Sequence, residues 1–368
     1  MKKKILVKAY TKINLGDDLF LAILLDRYPE IEFTLLDSSY ISDTQLYSKF
    51  NKESLYSFSY RVCRKIASFF FKKNICIIDR YYERYRSKKL SNKYDTILAL
   101  GGSLYMQSDI NISADDTLNK ALFNDFKHVY IIGANFGPYH DEKYRLFYES
   151  IFSDCNSISF RDTYSKKLFP NLSNIHVFPD IVFQLNKYKS NPAIGSVGLS
   201  VIDISNRHSL DVYSELYITF LKNIVKELIR LNRDVYLFSF CQFEGDNNII
   251  KQIVDSEPNV NTVEYNGDID SFLKVYASME AVFCTRFHSM VLSLVFNQKL
   301  LPIIYSKKMQ QVLDDIDFDQ KTMNIWDLEN SDYLECINSL STYDFVLSET
   351  VRLESVKMFN DFDRYIYS

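Results

Sequence analysis

The chain has 368 residues, with 43 Lys and Arg against 47 Asp and Glu, and its length suggests two domains, each large enough for its own core. A hydrophobic fraction of 47 % beside 24 % charged residues excludes a disordered or fibrous chain. The longest uninterrupted apolar run, Leu19 to Leu25, falls far short of the roughly 20 residues that a membrane-spanning helix needs.

Met1-Lys2-Lys3-Lys4 resembles the start of a signal peptide, but Lys8 interrupts the apolar Ile5-Leu6-Val7 at once, so a cytoplasmic chain is expected. Residues 5–9 read as a buried strand and residues 17–28 as the helix after it. Residues 96–100, 129–132 and 157–160 continue as strands, and 163–169 as a short helix. The polar stretch 184–193, which contains Pro192, reads as a linker. Beyond it, strands are expected at 197–201, 234–240, 281–284 and 301–305. Helices are expected at 212–231 and 269–279, and a terminal one at 348–367.

Strand–helix alternation of this kind implies parallel sheets covered on both faces. The expected architecture is α/β, with two Rossmann-like domains, 1–183 and 194–368, facing across a cleft at the carboxyl ends of their strands. Charge divides along the same line. Residues 1–182 hold 26 basic and 21 acidic side chains, and the remainder hold 17 and 26.

The six cysteines include no C-x-x-C pair, which argues against a zinc ribbon, and no metal site is expected. Cys284 and His288 stand four apart, open either to a nucleophilic dyad or to a small buried residue ending a strand.

Ala281 to Leu294 is the sharpest segment. A buried strand ends at Cys284 and an apolar helix follows, with Thr285 placed to cap it and Arg286 and His288 in its first turn. A helix N-terminus favours anions, so two basic side chains there run against local helix stability. An anionic ligand would resolve that conflict; a surface Arg and a packed His are the plainer alternative. Asn14-Leu15-Gly16-Asp17 follows the first strand. Gly16 permits a tight turn, Asn14 offers an amide, and Asp17 can cap the helix or accept a proton. The paired Gly101-Gly102, in a chain with 9 glycines, imply a close approach of the backbone to a ligand or to a neighbouring helix. No Gly-Lys-Ser/Thr follows, so a P-loop is excluded, and Gly133 to Pro138 lacks the third glycine of a dinucleotide fingerprint. Arg161 ends another strand, either as a second anion ligand or in an ion pair with Asp162 or Asp180.

Taken together these motifs resemble the polysaccharide pyruvyl transferase family. The matching pieces are Asn14 to Asp17, Gly101-Gly102, Gly133 to Pro138, Ser159 to Asp162 with Ser165, Pro179-Asp180, Thr285 to His288, and Tyr305 with Lys308. They keep the family's order over residues 5–315; Ser103 stands where the family usually has a third glycine, and Ser289 where a glycine is common. The resemblance implies a GT-B-like pair of domains with the site in the cleft. It also implies transfer of the pyruvyl group of phosphoenolpyruvate onto two hydroxyls of a sugar, forming a ketal in cell-surface polysaccharide synthesis. Phosphoenolpyruvate is then a substrate, and no cofactor is expected. The acceptor is a sugar, lipid-linked or nucleotide-linked. His288 would be the general acid/base, and Arg286 and Arg161 ligands of the donor. Asn14, Gly16, Asp17, Gly101, Gly102 and Lys308 would line the substrates. A glycosyltransferase using a nucleotide sugar, or a non-catalytic protein of the same fold, is the alternative.

The run from Arg61 to Lys93 holds eleven basic residues, Lys72, Lys73, Lys88 and Lys89 among them, against Asp79 and Glu83, with tyrosines and phenylalanines interleaved. It suits either an anionic membrane surface at the inner face or a solvated helix with its rings turned inward. Nucleic acid fits poorly, because the whole chain is acidic and carries no recognition motif.

Overall fold

The computed structural model describes residues 3–37, 43–57, 60–62, 64–65, 75–107, 112–188, 190–207 and 209–368. Lys72 and Lys73, in the basic run, lie outside the described residues, as do Cys63 and His208. The chain forms two compact units. The first comprises residues 1–11, 20–178 and 356–368, and the second residues 12–19 and 179–355.

In the first unit, β1 (Ile5–Lys8), β2 (Phe33–Asp37), β3 (Asn51–Ser54), β4 (Thr96–Leu100), β5 (His128–Ala134), β6 (Ser157–Phe160) and β7 (Ile175–Val177) form one sheet in the order β3-β2-β1-β4-β5-β6-β7. Every pairing is parallel, and Ile5 of β1 stands beside Phe33 and Thr96. β4 and β6 are buried along their whole length, as continuous apolar strands between helical layers must be. The helices are held at their starts by local side chains: Ser113 and Asp116 form a capping box before Ala114–Asp125, and Asp141 caps Glu142–Phe152. Aromatic rings fill the space beneath them, with Phe136 meeting Phe169 edge-on at 4.9 Å and Tyr105 meeting Phe152 at 5.1 Å.

The second unit repeats the plan. Here β8 (Ala193–Ser200), β9 (Asp234–Ser239), β10 (Asn261–Glu264), β11 (Met279–Cys284), β12 (Lys299–Ile304) and β13 (Met323–Asn324) lie in the parallel order β10-β9-β8-β11-β12-β13. The helix Ser214–Arg230 buries Tyr217, Phe220, Leu221, Ile224, Val225 and Leu228, an i, i+3, i+4, i+7 stripe that faces the sheet. The helix Phe287–Val295 is buried at every position except His288.

In both sheets the strand order reverses, between β1 and β4 and between β8 and β11. Such points leave a crevice at the strands' carboxyl ends, where open α/β sheets hold ligands.

Three boundaries differ from the expected ones. The chain changes unit at Phe178-Pro179, upstream of the polar stretch 184–193, which belongs to the second unit. Residues 356–368 belong to the first unit rather than the second. Their apolar side chains explain why: Phe362 packs edge-on against Tyr28 and Tyr130, and Asp363 pairs with Arg27 and accepts from Tyr28. Residues 12–19, expected in the first domain, belong to the second. The terminal helix is also divided, into Glu349–Val356 and Asn360–Tyr367 with a 3₁₀ turn between them.

Candidate functional site

The carboxyl ends of β8 and β11 are tied together by one hydroxyl. Ser200 Oγ accepts the backbone N–H groups of Thr285 at 3.0 Å and Arg286 at 3.2 Å. This fixes the turn that leads into Phe287–Val295. Thr285 is not the cap of that helix, as expected from its position. Arg286 occupies the N-cap with no side-chain cap bond, and Thr285 Oγ1 accepts from the Tyr217 hydroxyl at 3.0 Å.

Arg286 is almost fully buried and held on two sides. Its Nε donates to Asp246 Oδ2 at 3.1 Å and to the Val201 carbonyl at 3.3 Å; Nη2 donates to Asp246 and Nη1 to Glu244. Burial alone would lower its pKa, but Asp246 and Glu244 more than offset that and hold the guanidinium charged. Asp246 is completed by the N–H groups of Phe240 at 2.9 Å and Cys241 at 3.0 Å. Glu244 also accepts from Arg207 at 2.9 Å and from the Asn14 amide at 3.3 Å. Burial works to raise its pKa, and Arg286, Arg207 and Lys308 together bring it below the ordinary carboxylate value.

Residues 14–16 meet this cluster from the other end of the sequence. Leu15 N donates to the Phe240 carbonyl at 3.2 Å, and Asn14 Oδ1 accepts from Gly16 N at 3.0 Å. Asn14 thus caps the helix Leu15–Arg27, a role expected of Asp17, which sits half-buried in the first turn. Gly16 stands directly against His288, and a Cβ there would overlap the imidazole at Nδ1. Its glycine identity is set by this close approach. Two residues on, the buried Asp18 accepts from the Tyr265 hydroxyl at 2.6 Å.

Lys308 follows on the next strand–helix turn, 5.5 Å from the Phe287 ring centroid. Beside it, Tyr305 lies under Arg207, 5.4 Å from ring centroid to guanidinium. Burial would raise its phenol, and Lys308, Arg207 and Arg286 reverse the sign and lower it. Arg207, Arg286 and Lys308 stand around Glu244 and Asp246, and Asp203 also faces Arg207, so the three cations of this corner are matched by three carboxylates.

In the first unit, Arg161 lies at the end of β6 and is buried. Its Nη2 donates to Asn135 Oδ1 at 2.7 Å, and Asn135 N donates in turn to the Gly102 carbonyl at 2.8 Å. The guanidinium covers Gly102 so closely that a Cβ would lie 2.6 Å from Nη1. Gly101 has a φ of +144°, which an L side chain disfavours, and its N–H donates to the Ile132 carbonyl. Asp162 caps the helix Thr163–Lys167, accepting from Ser165 N at 2.7 Å.

The structure therefore gathers Asn14, Gly16, Arg286, His288 and Lys308 in the second unit, and Gly101, Gly102 and Arg161 in the first. Cys284 does not form a dyad with His288. It is fully buried, shares a hydrogen bond with Ser293 Oγ at 3.5 Å, and burial pushes its thiol up to about 11. Glu244, Asp246, Arg207 and Asn135 were not expected from the sequence. Asp246 had a readable signal, because it follows Gly245 (φ +86°) at the start of the helix after β9. Among the described residues no cluster of His, Cys, Asp and Glu is arranged to hold a metal ion.

The family model described as polysaccharide pyruvyl transferase matches residues 14–307. No curated protein matches the chain. The UDP-GlcNAc 2-epimerase of Methanocaldococcus jannaschii is similar in structure, with a TM-score of 0.60 at 8 % identity over 99 % of this chain and 100 % of that one. The Neisseria meningitidis UDP-GlcNAc 2-epimerase bound to UDP-GlcNAc gives 0.58 at 10 % identity, over 99 % and 98 %. Anabaena HepE in complex with UDP and glucose gives 0.57 at 11 % identity, over 100 % of both chains. At these identities the likeness shows the fold, which is the expected GT-B-like pair of parallel-sheet α/β domains.

Proposed function

The chain belongs to the polysaccharide pyruvyl transferase family, and we propose that it moves the pyruvyl group of phosphoenolpyruvate onto two hydroxyls of a sugar. The reading is supported most by one contact: Gly16 and His288, from motifs at opposite ends of the matched region, touch.

In the proposed reaction a proton is added to the methylene carbon of phosphoenolpyruvate, making C2 electrophilic. One sugar hydroxyl adds to C2 and loses its proton, the phosphate leaves with its bonding pair, and a second hydroxyl of the same sugar closes the ketal, its proton passing to the departing phosphate. The products are one ketal and one inorganic phosphate. His288 is the proposed proton carrier, since an imidazole changes charge near neutral pH. It is also the only position of its helix that is not buried. Arg286 spends three of the five N–H groups of a guanidinium on Asp246, Glu244 and Val201, and the other two are proposed to meet the donor. Arg161 is proposed as a second donor ligand, and Lys308 as a further cation toward phosphate. The acceptor is proposed to be a sugar of a cell-surface polysaccharide, lipid-linked or nucleotide-linked, reached from the cytoplasm.

The test is incubation of the purified chain with phosphoenolpyruvate and lipid-linked or nucleotide-linked sugars, reading inorganic phosphate and the mass of the sugar product. Phosphate release coupled to a ketal-bearing sugar is the expected result. Release of a nucleotide from a nucleotide sugar, with phosphoenolpyruvate untouched, would make the protein a glycosyltransferase instead.

A further inference from the structure

The helix Ile75–Ser91 in the first unit carries part of the basic run, and its described side chains, from Asp79 onward, sort sharply by face. Glu83, Ser87 and Leu90 are buried, and Ser87 Oγ donates to the Ala121 carbonyl of the helix Ala114–Asp125 at 2.9 Å. Flanking positions are committed to this unit as well. Tyr82 stacks on Tyr60 at 3.6 Å, Asp79 pairs with Arg64, and Arg86 is bound to Glu53 and two backbone carbonyls.

The remaining face consists of Arg80, Tyr81, Arg84, Tyr85, Lys88 and Lys89, all exposed. Two properties set this stripe apart from an ordinary solvated helix. First, none of its four cations forms an ion pair among the described residues, whereas Arg64, Arg86 and Lys93 of the same run each have a carboxylate. Arg80–Arg84 and Arg84–Lys88 are like charges at i, i+4, a spacing that destabilises a helix unless something outside neutralises it. Second, Tyr81 is 75 % exposed and Tyr85 60 %, so two large rings that could pack inward stand among the cations. The stripe is about 14 Å long at a rise of 1.5 Å per residue. A cavity of 310 Å³ opens along its side, lined by Arg80, Arg84 and Lys120 with the acidic Glu83 and Asp125. Burial raises the Glu83 carboxyl above its ordinary value.

We propose that this face docks the protein on an anionic lipid bilayer. Cations alone would suit any polyanion. Tyrosines interspersed on the same exposed face fit the headgroup layer, where a ring buries its apolar body and keeps its hydroxyl wet while Lys and Arg reach lipid phosphates. The inference stands apart from the reaction proposed above and does not depend on it.

Sedimentation of the full chain with vesicles of phosphatidylcholine, with and without phosphatidylglycerol, tests it. The wild-type chain is expected to pellet only with the anionic vesicles and to be released by salt. R80E/R84E/K88E/K89E should lower partitioning by at least roughly a thousandfold, at about fivefold for each cation lost. The neutral set R80Q/R84Q/K88Q/K89Q should fall between the two, and it guards against misfolding of the reversed variant. Y81S/Y85S should weaken binding severalfold while keeping its salt dependence. A wild-type chain that stays in the supernatant with anionic vesicles at low salt overturns the proposal. So does equal binding by both quadruple variants, or a duplex DNA that binds the wild type more tightly than the vesicles do.

Discussion

Gly102 and Gly16, each in the segment that follows a parallel strand, both make room for a side chain proposed to act on the substrates, but they do so under different constraints. Gly102 lies beneath the guanidinium of Arg161, the far end of a long and flexible side chain. Gly16 lies against the imidazole of His288, a short side chain on a helix that is buried at every other position. An added methyl group meets the tip of a long side chain in the first unit and a ring held close to its own backbone in the second. The same substitution should therefore cost more at Gly16. The second unit also takes its glycine from a segment, residues 12–19, far in sequence from the rest of the unit.

The largest expected effect comes from the ring itself. His288→Gln should lower kcat by roughly a hundred- to ten-thousandfold, the usual worth of a general acid/base, with the unfolding temperature unchanged. A variant turning over like wild type would remove His288 from the chemistry and leave the Gly16 contact as packing only. Gly16→Ala should follow closely, with a loss mainly in kcat as the ring is displaced; steady-state kinetics at saturating donor would read it. If Gly16→Ala and Gly102→Ala proved equally mild, the difference in rigidity argued above would fail. Gly102→Ala is expected to raise the KM for phosphoenolpyruvate about tenfold, the order of a weakened charge-assisted hydrogen bond, while kcat stays within a few-fold. The smallest effect should be that of Cys284→Ala. Its thiol is pushed up to about 11 by burial and lies in the core, so turnover should not change. The stability loss should be about 1 kcal/mol, measured by denaturant unfolding.

The central strands were legible because they are buried on both faces and so read as apolar runs. Thr96–Leu100 and Ser157–Phe160 carry the expected limits. The edge strands were not. Asn51-Lys52-Glu53-Ser54 and Asn261-Thr262-Val263-Glu264 have mostly exposed or half-exposed side chains, and they are strands only because a neighbour supplies their hydrogen bonds. Helix caps were partly misread for a related reason. Thr285 and Asp17 are good capping residues by type, yet Thr285 is drawn to Tyr217, and Asn14 reaches the free N–H first.

Local pattern was sufficient for the α/β class, for the strand ends that carry Gly101-Gly102, Arg161 and Arg286, and for the place of His288, half-buried, in the first turn of an apolar helix. Each follows from the chain's own periodicity, because an apolar strand must end where polar or small residues begin. Three things needed the tertiary structure. The pairing of Arg286 with Asp246 and Glu244 joins residues 40 and 42 positions apart. The membership of residues 12–19 and 356–368 reverses what sequence proximity implies. The steric need for glycine at position 16 exists only because His288 comes to rest there. Ion pairs, docking and close approach are long-range contacts, set by which surfaces of the folded chain meet, and no window along the sequence contains both partners.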